Sequence, residues 1–140
     1  MIDTRDLVEK REELQTNLVG SFNEYFDTEI EDFDELTKHI SNSEDEDVQE
    51  WRDDNSDDFE HIKEIDELED EISEFSFGEI LILEAGFIEY CEDMVADCYY
   101  LTNIPSFIRY NINWEGVASD LRVDYTNVTY QGVSYLVRAY

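Results

Sequence analysis

The sequence predicts an α+β protein that is mostly helical, with four or five amphipathic helices and a small C-terminal antiparallel β-hairpin or sheet. Three observations predict it. Apolar residues recur at helical spacing through most of the first hundred positions. From Val123 onward the pattern changes to two β-rich runs around Gln131-Gly132. Leu, Ile, Val and Phe together make up 39 of 140 residues, enough for a core in a chain of net charge −29.

The first helix starts after a cap at Asp3 or Thr4. Leu7, Leu14, Leu18, Phe22 and Tyr25 form its apolar stripe, and the helix ends near Gly20 or runs to Phe26. Ile30, Phe33, Leu36 and Ile40 continue the helical spacing across Asp27 to Ile40. Ser41 and Ser43 are candidate caps for the next segment, whose apolar anchors are Val48 and Trp51. Arg52 to Asp58, RDDNSDD, reads as a turn. Phe59, Ile62, Ile65, Leu68, Ile72 and Phe75 mark the clearest helix, closed by Phe77-Gly78.

Glu79 to Leu83 is a short apolar run that fits a strand. A helix follows Gly86, with Phe87, Cys91, Met94, Val95, Cys98 and Leu101 inward. Pro105, the one proline, closes that element, and Asn113 caps a helix from Trp114 to Leu121. Val123 to Tyr130 and Val133 to Val137 then form the hairpin. Seven residues on a helix separate Cys91 and Cys98 by roughly 10 Å, too far for a disulfide, so both read as free buried thiols.

Charge is concentrated. Glu24 to Glu79 holds 25 acidic and three basic residues, a net −22. The same stretch carries aromatic and branched residues throughout, which a disordered acidic tail lacks. It therefore reads as a folded surface that presents negative charge. The sign excludes nucleic acid and anionic membranes as direct partners and favours basic proteins or cations. No run of 18 apolar residues and no export signal is present, which predicts a soluble intracellular protein.

Enzyme motifs are lacking. His39 and His61 stand 22 apart, outside any metal or nucleophile pattern, and neither a P-loop nor G-x-G-x-x-G occurs. The expectation is no catalytic residue and no cofactor. Asp53, Asn55, Asp57 and Glu64 fall at positions 1, 3, 5 and 12 of an EF-hand loop. Position 6, which needs Gly for the sharp turn, is Asp58, so the metal expectation is none, with these four as the near miss.

The acidic helices suggest a different chemistry. Two outward carboxylates per turn give one charge per roughly 2.7 Å of axis, and two such helices approach the charge density of B-DNA. The candidate binding surface comprises Asp32, Asp34, Glu35, Glu44, Asp45, Glu46, Asp47, Glu50, Asp53, Asp54, Asp57, Asp58, Glu60, Glu64, Glu67, Asp70, Glu71 and Glu74. It would enter a groove lined with Lys and Arg, quickly and with strong salt dependence.

Glu89, Asp93, Asp97 and Tyr100, then Ile104-Pro105, Ile112-Asn113-Trp114-Glu115, Ala118, Asp120-Leu121 and Gly132 with Tyr135, stand in an order that resembles the end of the ArdA-type antirestriction proteins. The resemblance covers roughly Phe87 to Tyr140, and Asn113 stands where that family usually shows Asp. It implies a phage or mobile-element DNA mimic, commonly a homodimer, acting in the cytoplasm of a host bacterial cell. It also implies that the target is the DNA-binding groove of a host defence enzyme, most often a type I restriction–modification enzyme. The chain then divides into an acidic helical region, 1–79, and an ArdA-like α+β region, 80–140. The competing readings are an acidic adaptor for a basic DNA-associated protein and a calcium-binding protein.

Overall fold

A computed structural model describes residues 1–99 and 101–139. Tyr100 and Tyr140, both within the stretch that carries the resemblance, lie outside the described residues. The expected class is observed, a mostly helical α+β chain. Seven α-helices occur among the described residues where four or five are expected, and the small sheet has four strands. The chain forms two compact units, Arg5–Glu71 and Met1–Thr4 with Ile72–Tyr140.

The helical unit contains most of helix α1 (Thr4–Phe26), then α2 (Phe33–Asn42), α3 (Glu46–Asp54) and α4 (Ser56–Glu71). Leu14, Leu18 and Phe22 of α1 share a core with Leu36, Ile40, Val48, Trp51, Phe59 and Ile62. Phe22 is fully buried. Its ring meets Trp51 edge-on at 5.0 Å, and Trp51 meets Phe59 at 6.1 Å. Such pairs add about 0.5–1.5 kcal/mol each beyond area burial. Tyr25, expected on the same stripe, is 71% exposed, because the stripe leaves the core after Phe22.

Local chemistry sets the helix ends. Asp27, at φ 53°, takes the left-handed conformation and stops α1. Asn23 then holds the connecting loop: its Nδ2 donates to the Ile30 carbonyl, and its Oδ1 accepts from Thr28 Oγ1 and Ile30 N. The helix expected from Asp27 therefore begins only at Phe33, behind Asp32, whose Oδ1 accepts from Glu35 N at 2.8 Å. Asp45, rather than Ser41 or Ser43, caps α3 by accepting from Asp47 N.

The turn expected at Arg52 to Asp58 is helical except at Asn55. Asn55 Nδ2 donates to the Trp51 carbonyl at 2.8 Å, and the Asn55 carbonyl accepts from Asp58 N and Phe59 N. One residue thus ends α3 and starts α4. The clearest expected helix accordingly runs from Ser56 to Glu71, and Phe75–Phe77 is a separate 3-10 turn.

The second unit is built on a sheet of order β1-β2-β4-β3, all antiparallel: β1 (Ile2–Asp3), β2 (Ile80–Leu83), β3 (Tyr125–Tyr130) and β4 (Val133–Arg138). Thr4 does not cap its own helix. Its buried hydroxyl donates to the Phe75 carbonyl at 2.7 Å and accepts from Glu79 N at 2.8 Å. The β3–β4 turn is the expected Gln131-Gly132, with φ 51° and 74°, the two-residue geometry that matches strand twist.

Helices α5 (Phe87–Tyr99) and α7 (Trp114–Arg122) accompany the sheet, with a short α6 (Ser106–Arg109) between them. Phe87, Cys91 and Ala118 pack with Ile82 and Leu136. Asn113 caps α7 as expected, accepting from Gly116 N. The two thiols are free, but only Cys91 is buried; Cys98, expected inward, is exposed in the last turns of α5. Burial pushes the Cys91 thiol up.

Candidate protein-recognition surface

The helical unit carries 27 acidic and six basic residues, a net −21, against −8 for the sheet unit. Burial sorts these charges. The apolar positions of α2, α3 and α4 turn inward, so their carboxylates are left outside. Of the 18 candidate residues, 16 are exposed, and Asp58 and Glu64 are half-buried. Seventeen belong to the helical unit; Glu74 belongs to the sheet unit, at φ 60° ahead of the 3-10 turn.

The candidates divide by what each carboxylate does. Asp32 and Asp45 accept from helix amides. Glu35 reaches back so that its Oε2 accepts from Glu31 N, one residue before the cap, at 3.0 Å. Asp34, Glu46, Asp47, Asp57 and Asp58 stand in first turns, where the helix dipole favours them. Glu44 lies in the loop before α3. Glu50, Asp53 and Asp54 lie further along α3, and Glu60, Glu67, Asp70 and Glu71 along α4, all exposed. This last group is the part of the surface with no helix-end role.

On α4 the exposed acids are dense. Asp57, Glu60, Asp66, Glu67, Asp70 and Glu71 are exposed over about 21 Å of axis, at intervals that average roughly 4.2 Å and run from about 1.5 to 9 Å. A single strand of B-DNA carries one phosphate per about 3.4 Å. Positive charge enters the row at Lys63, exposed on α4 between Glu60 and Asp66. Arg11 on α1 donates to Asp66 Oδ1 and Glu69 Oε2, both at 2.7 Å. Burial works against its charge, but the bonds to Glu69 and Asp66 outweigh that and raise its pKa. The Arg52 guanidinium lies over the Phe59 ring at 4.0 Å.

Sequence reasoning did not single out Asp66 and Glu69 as the partners of Arg11, because those contacts span 55 and 58 residues. It also missed Glu84 in the sheet unit, which accepts from Ser134, Arg122 and Asn127. The excess of acids over bases gave no signal of either. The four EF-hand-like residues do not form a loop: Asp53 is on α3, Asp57 and Glu64 are on α4, and the Asn55 side chain is bonded to Trp51. No group of three or more His, Cys, Asp or Glu positioned to hold a metal occurs among the described residues. No helix among them is long and apolar enough to cross a membrane.

Comparison with known proteins adds one finding. The sequence matches the family of antirestriction proteins, ArdA, over residues 4–135. The match extends well upstream of the Phe87 to Tyr140 resemblance and takes in the whole acidic helical unit. No curated protein and no solved structure matches.

Proposed function

This chain belongs to the ArdA family of antirestriction proteins, and we propose that it inhibits a type I restriction–modification enzyme by filling the DNA-binding groove. One observation carries this reading: the exposed carboxylates of α4 give the helix a linear density of negative charge comparable to that of a DNA strand. The apolar stripe of α4 is buried, which leaves these carboxylates outside before any partner arrives. A groove lined with Lys and Arg gains the same counterion release from such a row as from a phosphate backbone. The reaction is occupancy and needs no nucleophile, metal or cofactor.

The test is competition. The purified chain is added to a type I restriction enzyme with labelled duplex DNA, and bound DNA is followed across a salt series. Under the proposal the chain displaces DNA, and its affinity falls steeply with salt. Inhibition of cleavage with DNA still fully bound would exclude groove occupancy and point to a contact elsewhere on the enzyme.

A further inference from the structure

Outside the acidic unit, one cavity has a lining that selects its occupant. It lies within the sheet unit and has a volume of about 190 Å³. Ile82 and Leu83 of β2 and Gly86 line it together with Glu89, Tyr90 and Asp93 of α5. Met1 also contributes. Small-molecule and cofactor sites occupy about 300–1,000 Å³. This cavity is the size of one side chain.

The lining pairs an apolar wall with a double negative charge. Glu89 and Asp93 are four residues apart on α5, so both carboxylates stand on one face. Both are exposed, and no hydrogen bond or ion pair engages either among the described residues. Tyr90 between them is held from behind. Its ring stacks with Phe87 at 6.1 Å and 19°, and its hydroxyl is bonded with that of Tyr125.

An arginine side chain matches each part. Its aliphatic stem suits Ile82 and Leu83, its planar guanidinium spans two carboxylates, and its face stacks on an aromatic ring. A lysine would bring a point charge that cannot fork between Glu89 and Asp93. We propose that this cavity is a socket for an arginine side chain of a partner protein. Taking that partner to be the restriction enzyme rests on the function proposed above; the chemistry of the socket does not.

Two variants of the full chain test it. Gly86→Leu fills the socket without backbone strain, since a Cβ at that position meets only Leu83 Cβ, at 3.9 Å. Glu89→Gln with Asp93→Asn keeps the shape and removes the charge. Each protein is titrated with N-acetyl-arginine amide and followed by NMR, with N-acetyl-norleucine amide as the uncharged control. The expected result is saturable shifts centred on Ile82, Leu83, Gly86 and Tyr90, with binding at least tenfold weaker in both variants and absent for norleucine. Shifts confined to the acidic helices, or a Gly86→Leu protein that titrates like the wild type, would overturn the socket.

Inhibition assays separate the two readings. If wild type and both variants displace DNA and inhibit equally, the socket as a contact of the restriction enzyme is overturned and groove filling stands. If none inhibits while the arginine titration behaves as expected, groove filling is overturned and the socket stands.

Discussion

Thr4 and Phe75 are joined across 71 residues by one hydrogen bond, from the threonine hydroxyl to the phenylalanine carbonyl at 2.7 Å. The same hydroxyl accepts from Glu79 N, and Thr4 is fully buried. Thr4→Val keeps the shape and leaves both backbone groups without their partner, a loss of about 2 kcal/mol or more. Thr4→Ser keeps both bonds and loses one methyl group, about 1 kcal/mol. Urea unfolding of the two variants checks the order. A loss in Thr4→Ser with none in Thr4→Val would mean that packing of the methyl, and not the hydroxyl, secures this position.

Arg11 clasps two acids of α4. Its side chain is 17% exposed, whereas Asp66 and Glu69 are 56% and 40% exposed, so solvent screens the pair substantially. Arg11→Met should therefore destabilise by only about 1 kcal/mol. The gap should shrink between about 0.05 M and 0.5 M salt as screening weakens the lost attraction. Both proteins should gain stability over that range, since salt also relieves the self-repulsion of a −29 chain. Thermal melts at the two salt concentrations decide this.

Glu84 gives a prediction in pH. Hydrogen bonds from Ser134, Arg122 and Asn127 hold its carboxyl at about 2, below its ordinary value of 4.5. A lowered carboxylate pKa gives stability that is complete above the ordinary value and disappears as pH falls through the folded one. The stability gap between wild type and Glu84→Gln should thus be constant above pH about 5 and close between there and pH about 2. An NMR titration of the Glu84 carboxyl should show the low midpoint directly. Ser134→Ala or Arg122→Gln should each raise it.

The recognition surface predicts a graded response. Glu60, Glu67 and Glu71 are exposed on α4 and have no helix-end role. Changing all three to Gln should weaken inhibition by roughly tenfold or more, at up to about 1 kcal/mol per charge. It should also flatten the salt dependence and leave the circular dichroism spectrum unchanged. The same change at Glu9, Glu12 and Glu13, also exposed on α1, provides a charge-matched comparison. An undiminished inhibitor after the α4 changes would show that this face is only solvated.

How far the sequence could be read follows from the range of the forces involved. The stripe Phe59, Ile62, Ile65 and Leu68 is a local pattern, and it identifies the inward face of α4 without any structure. The Gln131-Gly132 turn and the Asn113 cap are equally local. The Arg52 to Asp58 segment was misread because its composition suits a turn, and the deciding bond from Asn55 to the Trp51 carbonyl needs the helix already formed. Strand β1 was missed because it spans two residues and exists only through pairing with β2. On the surface itself, charge density was legible, but the division between capping carboxylates and presented ones was not. Asp32 and Glu60 look alike in a list of acids, and only helix boundaries separate them.

The path of the chain through its two units has an evolutionary consequence. The polypeptide leaves the sheet unit after Thr4 and returns at Ile72, and the Thr4 amide is bonded to the Glu79 carbonyl at 2.8 Å. Departure and return are thus fastened together, which is the arrangement that lets inserted domains be tolerated. The helices from Arg5 to Glu71 are an insertion in the chain, with the Thr4–Glu79 bond as its seam. They can lengthen, shorten or be replaced while the seam stays fixed, so selection by a new target can redraw the negative surface without rebuilding the sheet that carries it.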